Sequence, residues 1–221
     1  MNFITNNLCT DDQKMISDLK LRIHTNLTMA TTKLNQGVPG SLYIPGSNNS
    51  EIWFGDSSTQ WLMTLRSKLL LMANALIDPD AQSIEIFGPH KLTDSGRILT
   101  DYAPLRYLEY HCHDTTLDDH QRYHLHPNVQ DTDIEDNQYS IRLNPGWYYA
   151  LPYTYDCTKQ YTKLHILTHG LTHLLIQTKD HQYGYRNCQQ LVLSSTANAK
   201  VNSDSWAFFI DACTREETTR L

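Results

Sequence analysis

Apolar residues recur at helical spacing in three long stretches of the chain. The first, residues 10–35, has an apolar stripe formed by Met15, Leu19, Ile23, Leu27 and Ala30. The second covers residues 57–77 and ends at Asp78-Pro79, a pair that disfavours further helix. The third, TKLHILTHGLTHLLI, is apolar on most sides, which predicts a helix buried inside the domain.

Shorter stretches show the alternation that is typical of strands. SIEIFG alternates ahead of a Gly-Pro pair, and LRYLEYHCH and YSIRLNPGWYY predict two further strands. Helices around a small sheet predict an α+β fold, with the third helix as its long last helical run. A chain of 221 residues fits a single domain, in which residues 1–50 form an N-terminal helix and loop and residues 51–221 form the core.

Two histidines in the third helical stretch are candidates for a metal site. His169 and His173 are four residues apart, so their rings share one helix face and can close on one tetrahedral zinc. A bare H-x-x-x-H pattern is more often two unrelated histidines, but polar rings inside an apolar helix need partners. Asp180 follows at a turn and is the natural third ligand, with Asp204 as the second choice. His165, one turn earlier, is more typical of a hydrogen-bonded core histidine.

The usual zinc-peptidase motif is H-E-x-x-H, and its glutamate is the general base for the attacking water. The chain reads HGLTH, so Gly170 takes the place of that glutamate. Because glycine has no group that accepts a proton, the sequence predicts a metallopeptidase scaffold without its general base.

Five segments follow one another in an order that is specific to one family. They are a cysteine before the first helix, Cys9, then IWFG at 52–55, HGLTH at 169–173, TKDHQYG at 178–184 and NSDSWAFF at 202–209. The chain resembles the deuterolysin family of zinc endopeptidases, the aspzincins, which includes the peptidyl-Lys metalloendopeptidases. The family patterns are W-F-G, H-E-x-T-H, T-x-D-x-x-Y-G and N-A-D-x-Y-x-x-F. The resemblance implies a zincin-like fold, a zinc cofactor and a protein or peptide substrate.

The resemblance also implies a role for each matching residue. The two motif histidines and Asp180 would hold the zinc, and Tyr183 would stabilise the oxyanion of the tetrahedral intermediate. Asp204 matches an acid that helps to form the lysine pocket in the Lys-directed members, and an equally good interpretation makes it the N-cap of the next helix. Those members have a second acid three residues later, where this chain has Ala207.

The replacement at Gly170 bears directly on activity. General acid–base help is worth about 10²–10⁴ in rate. The sequence therefore predicts a deuterolysin-type zinc endopeptidase that is inactive or nearly so. The alternative is a pseudoprotease that keeps the cleft as a protein-binding module. A plain structural metal domain would leave Tyr183 and the W-F-G segment without a reason.

Composition and charge limit the kinds of partner that the chain can bind. The chain is 40% hydrophobic and 19% charged, as is ordinary for a globular protein. Its net charge of −6 argues against a nucleic-acid-binding surface, and no apolar run approaches the ~18 residues of a membrane span. We expect a monomer.

The N-terminus and the cysteines give weaker expectations. MNFITNNLCTDD lacks the order of a Sec signal peptide, while the resemblance implies secretion. We therefore expect a secreted or exported protein, either as a mature part with an added Met or by another route, with a cytoplasmic location as the alternative. The five cysteines leave at least one unpaired. The resemblance implies disulfides, with Cys9 and Cys188 as candidate partners of other cysteines.

Two further stretches have open interpretations. The polar stretch DTTLDDHQRYHLHPNVQDTDIEDN predicts a surface loop or hairpin, and an exposed loop is a better interpretation of its three histidines, His120, His124 and His126, than a second metal site. The aromatic segment WYYALPYTY precedes the metal helix and either lines a substrate cleft or belongs to the core.

Overall fold

The computed structural model describes residues 3–6, 10–35, 47–79, 84–87, 108–111, 139–143, 151–152 and 162–218. Four strands in these ranges form one sheet: β1 (Phe3–Asn6), β2 (Ile84–Phe87), β3 (Leu108–His111) and β4 (Tyr139–Leu143). Their order across the sheet is β1-β2-β4-β3. β1, β2 and β4 are parallel, and β3 is antiparallel to β4. The three histidines of the polar stretch, and most of WYYALPYTY, lie outside the described residues.

Three helices come from the N-terminal third of the chain: α1 (Thr10–Asn35), α2 (Ser47–Phe54) and α3 (Thr59–Ile77). α1 and α3 confirm the first two predicted helices. The buried stripe of α1 consists of Ile16, Leu19, Ile23, Leu27, Ala30 and Leu34, whereas Met15 is only partly buried. The apolar pattern does not predict α2, because its eight residues span barely two turns. No helix in the described ranges is long and apolar enough to cross a bilayer.

The remaining helices are α4 (Lys163–Ile176), α5 (Tyr185–Ser194), α6 (Thr196–Ala199) and α7 (Ser203–Thr218). α4 is the predicted buried helix, and it carries both motif histidines. It begins where Thr162 Oγ1 accepts a hydrogen bond from the His165 N–H at 3.1 Å. It ends at Gln177, whose left-handed conformation (φ 56°) lets its N–H return to the carbonyl of His173 at 3.1 Å. The chain then reverses, which brings Asp180 back to α4.

Six aromatic side chains from α2, α3 and α7 pack together into what we term the aromatic cluster: Trp53, Phe54, Trp61, Trp206, Phe208 and Phe209. Phe54 is fully buried, and its ring centroid lies 5.2–5.3 Å from those of three other members. Trp53 stacks on Phe208 at 5.0 Å. The W-F-G segment is therefore a packing element that holds α2 against α7.

Gly55 ends this segment at a position that only glycine fits. Its φ is +65°, and a Cβ added there would lie 2.6 Å from Thr196 Cγ2 and 2.9 Å from Val192 Cγ1. Both the backbone conformation and the close approach of α5 and α6 exclude a side chain. The next residue, Asp56, forms an ion pair with Lys200 at 2.6 Å, which also ties the turn to the end of α6.

Candidate metal centre

α4 and the turn that follows it bring three donor atoms together. Nε2 of His169 lies 3.0 Å from Nε2 of His173. Oδ1 of Asp180 lies 3.2 Å from the first nitrogen and 3.1 Å from the second. Both rings are buried, and the Asp180 side chain is 16% exposed. The structure thus unites the three residues that the resemblance implied as zinc ligands.

Hydrogen bonds on the far side of each ring decide which nitrogen carries a hydrogen. Nδ1 of His173 lies 2.9 Å from the carbonyl oxygen of Thr178, which can only accept, so Nδ1 donates. Nδ1 of His169 donates to the carboxylate of Asp204 at 2.6 Å. When the rings are neutral, both Nε2 lone pairs are therefore directed at the same point.

Three acceptor atoms so close together repel one another unless a cation lies among them. The same electrostatic interactions change the pKa values of the three residues. Burial alone lowers the pKa of His169, but the carboxylates of Asp180 and Asp204 outweigh it and raise that pKa to about 10. Burial lowers the pKa of His173, and the nearby charge of His169 adds to the effect. Burial raises the pKa of Asp180, but the two histidines outweigh it and hold the pKa well below its usual range. The site therefore favours a single positive charge.

The size and chemistry of this triangle fit zinc. Zinc bonds to nitrogen of about 2.0–2.1 Å give a tetrahedron with edges of about 3.3 Å, close to the 3.0–3.2 Å between the donor atoms. Two imidazoles and one carboxylate are also a donor set of catalytic zinc sites, which keep a fourth position open. His169, His173 and Asp180 are thus metal-binding candidates by distance as well as by residue type.

Asp204 lies behind His169. The residue is 1% exposed, and its Oδ1 lies 2.6 Å from His169 Nδ1 and 3.2 Å from His165 Nε2. Its Oδ2 accepts the backbone N–H of Gly184 at 2.7 Å. Burial raises the pKa of Asp204, but hydrogen bonds from the two histidines outweigh it and keep the carboxyl ionised, with its pKa well below the usual range.

These contacts bear on the three roles predicted for Asp204. As a metal ligand it would have to face Nε2 of His169, but it faces Nδ1, so Asp180 is the better third ligand. The N-cap interpretation is wrong, because α7 begins at Ser203 and Asp204 lies inside its first turn. The pocket for a substrate lysine stays a prediction, and the contacts favour a positioning role.

A chain of buried hydroxyl groups supports the turn beneath His173. Thr178 Oγ1 lies 2.9 Å from Thr172 Oγ1 and 2.8 Å from Ser203 Oγ. Ser203 Oγ is 2.8 and 3.1 Å from the two nitrogens of His173, and such similar distances place it over the ring face. It donates to the Lys179 carbonyl at 3.1 Å. Sequence reasoning missed this chain, because single Thr and Ser residues carry no spacing signature.

Tyr183 and Gly170 flank the first ligand. The ring of Tyr183 lies nearly parallel to that of His169, with 6.1 Å between centroids and 17° between planes. Its role at an oxyanion stays a prediction. Gly170 follows His169 within α4 and is buried, so this position supplies no proton acceptor.

The cysteine next to this region does not form a disulfide. Cys188 is a buried free thiol, and its Sγ lies 3.4 Å from Nδ2 of Asn202. The expectation of a disulfide at Cys188 is therefore wrong, since the thiol takes part in the packing of α5 against the start of α7. Cys9 lies outside the described residues.

The fold and the donor set together define the class. The structure is similar to that of a zinc peptidase from Grifola frondosa, with a TM-score of 0.57, 14% sequence identity and coverage of 92% of this chain and 96% of that chain. The fold is therefore that of a zinc peptidase. The aspzincin family model, described as lysine-specific metallo-endopeptidase, matches residues 102–211, a range that contains both histidines, Asp180 and Asp204. Over that range the chain is similar to the aspzincin family of metallo-endopeptidases, and its fold is that of a zinc peptidase. No curated protein matches the sequence.

Proposed function

We propose that this chain is an aspzincin-type zinc protein that engages protein or peptide substrates and hydrolyses them feebly or not at all. One observation carries the proposal: a complete donor triangle stands beside a position that lacks the general base. His169, His173 and Asp180 converge within 3.2 Å, and Gly170 follows directly after the first of them.

Each residue around the donor triangle would have a separate role. Zinc in such a site polarises a carbonyl and activates water. Asp204 and the Thr178 carbonyl hold the Nδ1 hydrogens, so that the Nε2 lone pairs stay directed at the metal position. Asp180 contributes the negative charge that offsets the cation. The ring of Tyr183 lies 6.1 Å from that of His169, and its phenol would donate a hydrogen bond to a developing oxyanion.

The sheet offers a place for an extended peptide. β3 pairs with β4 at the end of the described strand order and lies against α4. A peptide can add to such an edge through its main chain. We propose only a weak preference for lysine, because Asp204 is engaged by His165 and His169 and Ala207 carries no charge. We also propose that the protein acts outside its cell, with a cytoplasmic location as the alternative, which cell fractionation would test.

The first prediction restores the missing base. Gly170→Glu places a carboxylate beside the first ligand, where it can take a proton from water and pass it to the leaving amine. We expect hydrolysis of a denatured protein to rise by about 10²–10⁴-fold over the native chain. Mass spectrometry of the digest measures the rate and the cleavage sites.

The matched control is Gly170→Gln, which has the same size and no basic carboxylate. It should bind zinc and remain inactive. If the native chain already cleaves as fast as Gly170→Glu, another residue is the base. If the Glu variant folds and binds zinc but does not cleave, hydrolysis is not the function that the site retains.

The absence of a side chain at Gly170 also favours a second candidate, a pseudoprotease that binds proteins in the retained cleft. Such a protein needs the zinc and the strand edge but no base. Zinc-dependent capture of an uncleaved, denatured protein by the native chain would support it. Loss of that capture in His169→Ala would tie the binding to the metal site.

A further inference from the structure

His165 lies one helical turn before the first ligand and contacts the same carboxylate. Its Nε2 is 3.2 Å from Oδ1 of Asp204, the oxygen that lies 2.6 Å from Nδ1 of His169. We propose that His165 is a positioning residue for His169 and that it acts through Asp204. This inference rests on the proposed zinc site, because it concerns how firmly one ligand of that site is held.

The orientation of the Asp204 carboxylate determines the orientation of the His169 ring. The Gly184 N–H fixes Oδ2 at 2.7 Å. Restricting rotation of the carboxylate about that contact takes a donor at Oδ1 other than His169, whose own ring is the group to be positioned. His165 supplies it, and Oδ1 is then held between two rings of the same helix.

His165 is itself held in place from two sides. Its backbone N–H donates to the cap residue Thr162 at 3.1 Å, which fixes the first turn of α4. Its ring centroid lies 4.4 Å from that of Phe208, a member of the aromatic cluster on α7. The imidazole therefore cannot turn away from Asp204 without disturbing this packing, and α7 supplies both the carboxylate and the ring that keeps His165 against it.

A second metal among His165, His169 and Asp204 is the competing interpretation, since their donor atoms lie within 4.8 Å of one another. The distance between His169 Nδ1 and Asp204 Oδ1 decides against it. At 2.6 Å the two atoms share a hydrogen, whereas two ligands of one tetrahedral zinc stand about 3.3 Å apart.

The test measures zinc affinity by competition with a chromophoric chelator. Asp204→Asn should weaken binding by about 10–100-fold, as the loss of an outer-shell partner does. His165→Leu should weaken it by about fivefold, the equivalent of one net hydrogen bond. His165→Gln can still donate to Oδ1 and should recover most of this loss. His24→Leu, on α1, should bind zinc as the native chain does.

A double-mutant cycle shows whether His165 acts through Asp204. In the Asp204→Asn background, His165→Leu should cause little further loss of affinity. The absorption spectrum of the cobalt-loaded protein should shift in His165→Leu and return towards native in His165→Gln, which a mere packing defect would not produce.

Thermal unfolding of the metal-free variants separates packing from positioning. The proposal is overturned if His165→Leu lowers the melting temperature but binds zinc as tightly as the native chain. The proposal is also overturned if the double variant loses as much binding free energy as His165→Leu and Asp204→Asn lose together. If His169→Ala binds zinc normally, the proposed zinc site itself has failed, which is a different result.

Discussion

Helix α7 serves two regions of the molecule that are built in opposite ways. Its first turn carries Asp204, which makes hydrogen bonds of 2.6 and 3.2 Å to His169 and His165, and Ser203, whose Oγ lies over the ring of His173. Its next turns carry Trp206, Phe208 and Phe209, which pack into the aromatic cluster with ring centroids 5.0–6.2 Å apart. The stability of the polar region depends on the direction of its hydrogen bonds, because each donor must meet one acceptor. The stability of the aromatic region depends on how well its rings fill the available volume.

The difference shows that the groups which hold the candidate metal ligands are separate from position 170, where the chain has no proton acceptor. The donor triangle is supported by the carboxylate of Asp204 and by the carbonyl of Thr178, and both contact ring nitrogens on the far side from the other donors rather than at position 170. A change of residue at position 170 can therefore add or remove a proton acceptor without altering the hydrogen bonds that hold the candidate ligands. The aromatic cluster, which holds α2 and α7 together, is untouched by such a change.

The largest effect on stability should come from the aromatic cluster. Phe54→Ala removes a fully buried ring that contacts three others, and we expect the free energy of unfolding to fall by about 3–5 kcal/mol. Zinc affinity of the folded molecule should stay near native, because the rings that Phe54 packs against, those of Trp61, Trp206 and Phe209, belong to no candidate ligand. Denaturant unfolding measures the loss of stability and zinc titration measures the affinity, with Phe54→Leu as a milder control. Parallel losses of stability and affinity would show that the two regions are coupled.

A smaller loss is expected at the turn that ends the W-F-G segment. Gly55→Ala forces a Cβ to 2.6 Å from Thr196 Cγ2 at a positive φ, which should cost about 1–3 kcal/mol of unfolding free energy. Thr196→Ser removes the nearest clashing atom, so the double variant should regain part of the loss. Full stability of Gly55→Ala would mean that the turn can move away from α5 and α6.

The smallest effect concerns the ion pair of Asp56 and Lys200. Lys200 and the backbone and side chain of Ser58 lower the pKa of Asp56 from 3.8 to about 2. A lowered carboxyl pKa contributes stability above the unfolded value, and that contribution disappears as the pH falls through about 2. Asp56→Asn should therefore lose about 0.2–1 kcal/mol at pH 7. The unfolding free energies of the native chain and Asp56→Asn should converge near pH 2. A difference that persists there would assign the effect to packing.

The sequence predicts the long elements of this fold well. α1, α3 and α4 have enough turns for their apolar residues to define a face, and the three alternating stretches contain β2, β3 and β4. α2 and β1 escape prediction because they are short: eight and four residues give too few positions for a period. The W-F-G segment can be recognised in the sequence by its resemblance to the family pattern. Its packing against α7 cannot be predicted in this way, because it is a contact between distant parts of the chain.

The candidate site likewise has residues that the sequence predicts and contacts that only the fold reveals. The spacing of His169 and His173 and the following turn point to the metal ligands, because those residues are close in sequence. The partner of His169 cannot be predicted from the sequence, because Asp204 comes from a helix 35 residues further on and only the fold shows that it meets Nδ1. For the same reason, the role of Asp204 could not be separated from a cap or a pocket before its contacts were known.

The central claim is that His169, His173 and Asp180 hold one zinc. Equilibrium titration of the metal-free chain, compared with His169→Ala, Asp180→Ala and the exposed-site control Asp18→Asn, tests it most directly. The native chain and the control should take up one zinc with the same affinity. Both ligand variants should lose more affinity than the about 10–100-fold expected for an outer-shell residue. Full zinc occupancy in both ligand variants would contradict the assignment, and full occupancy in Asp180→Ala alone would mean that another group is the third ligand.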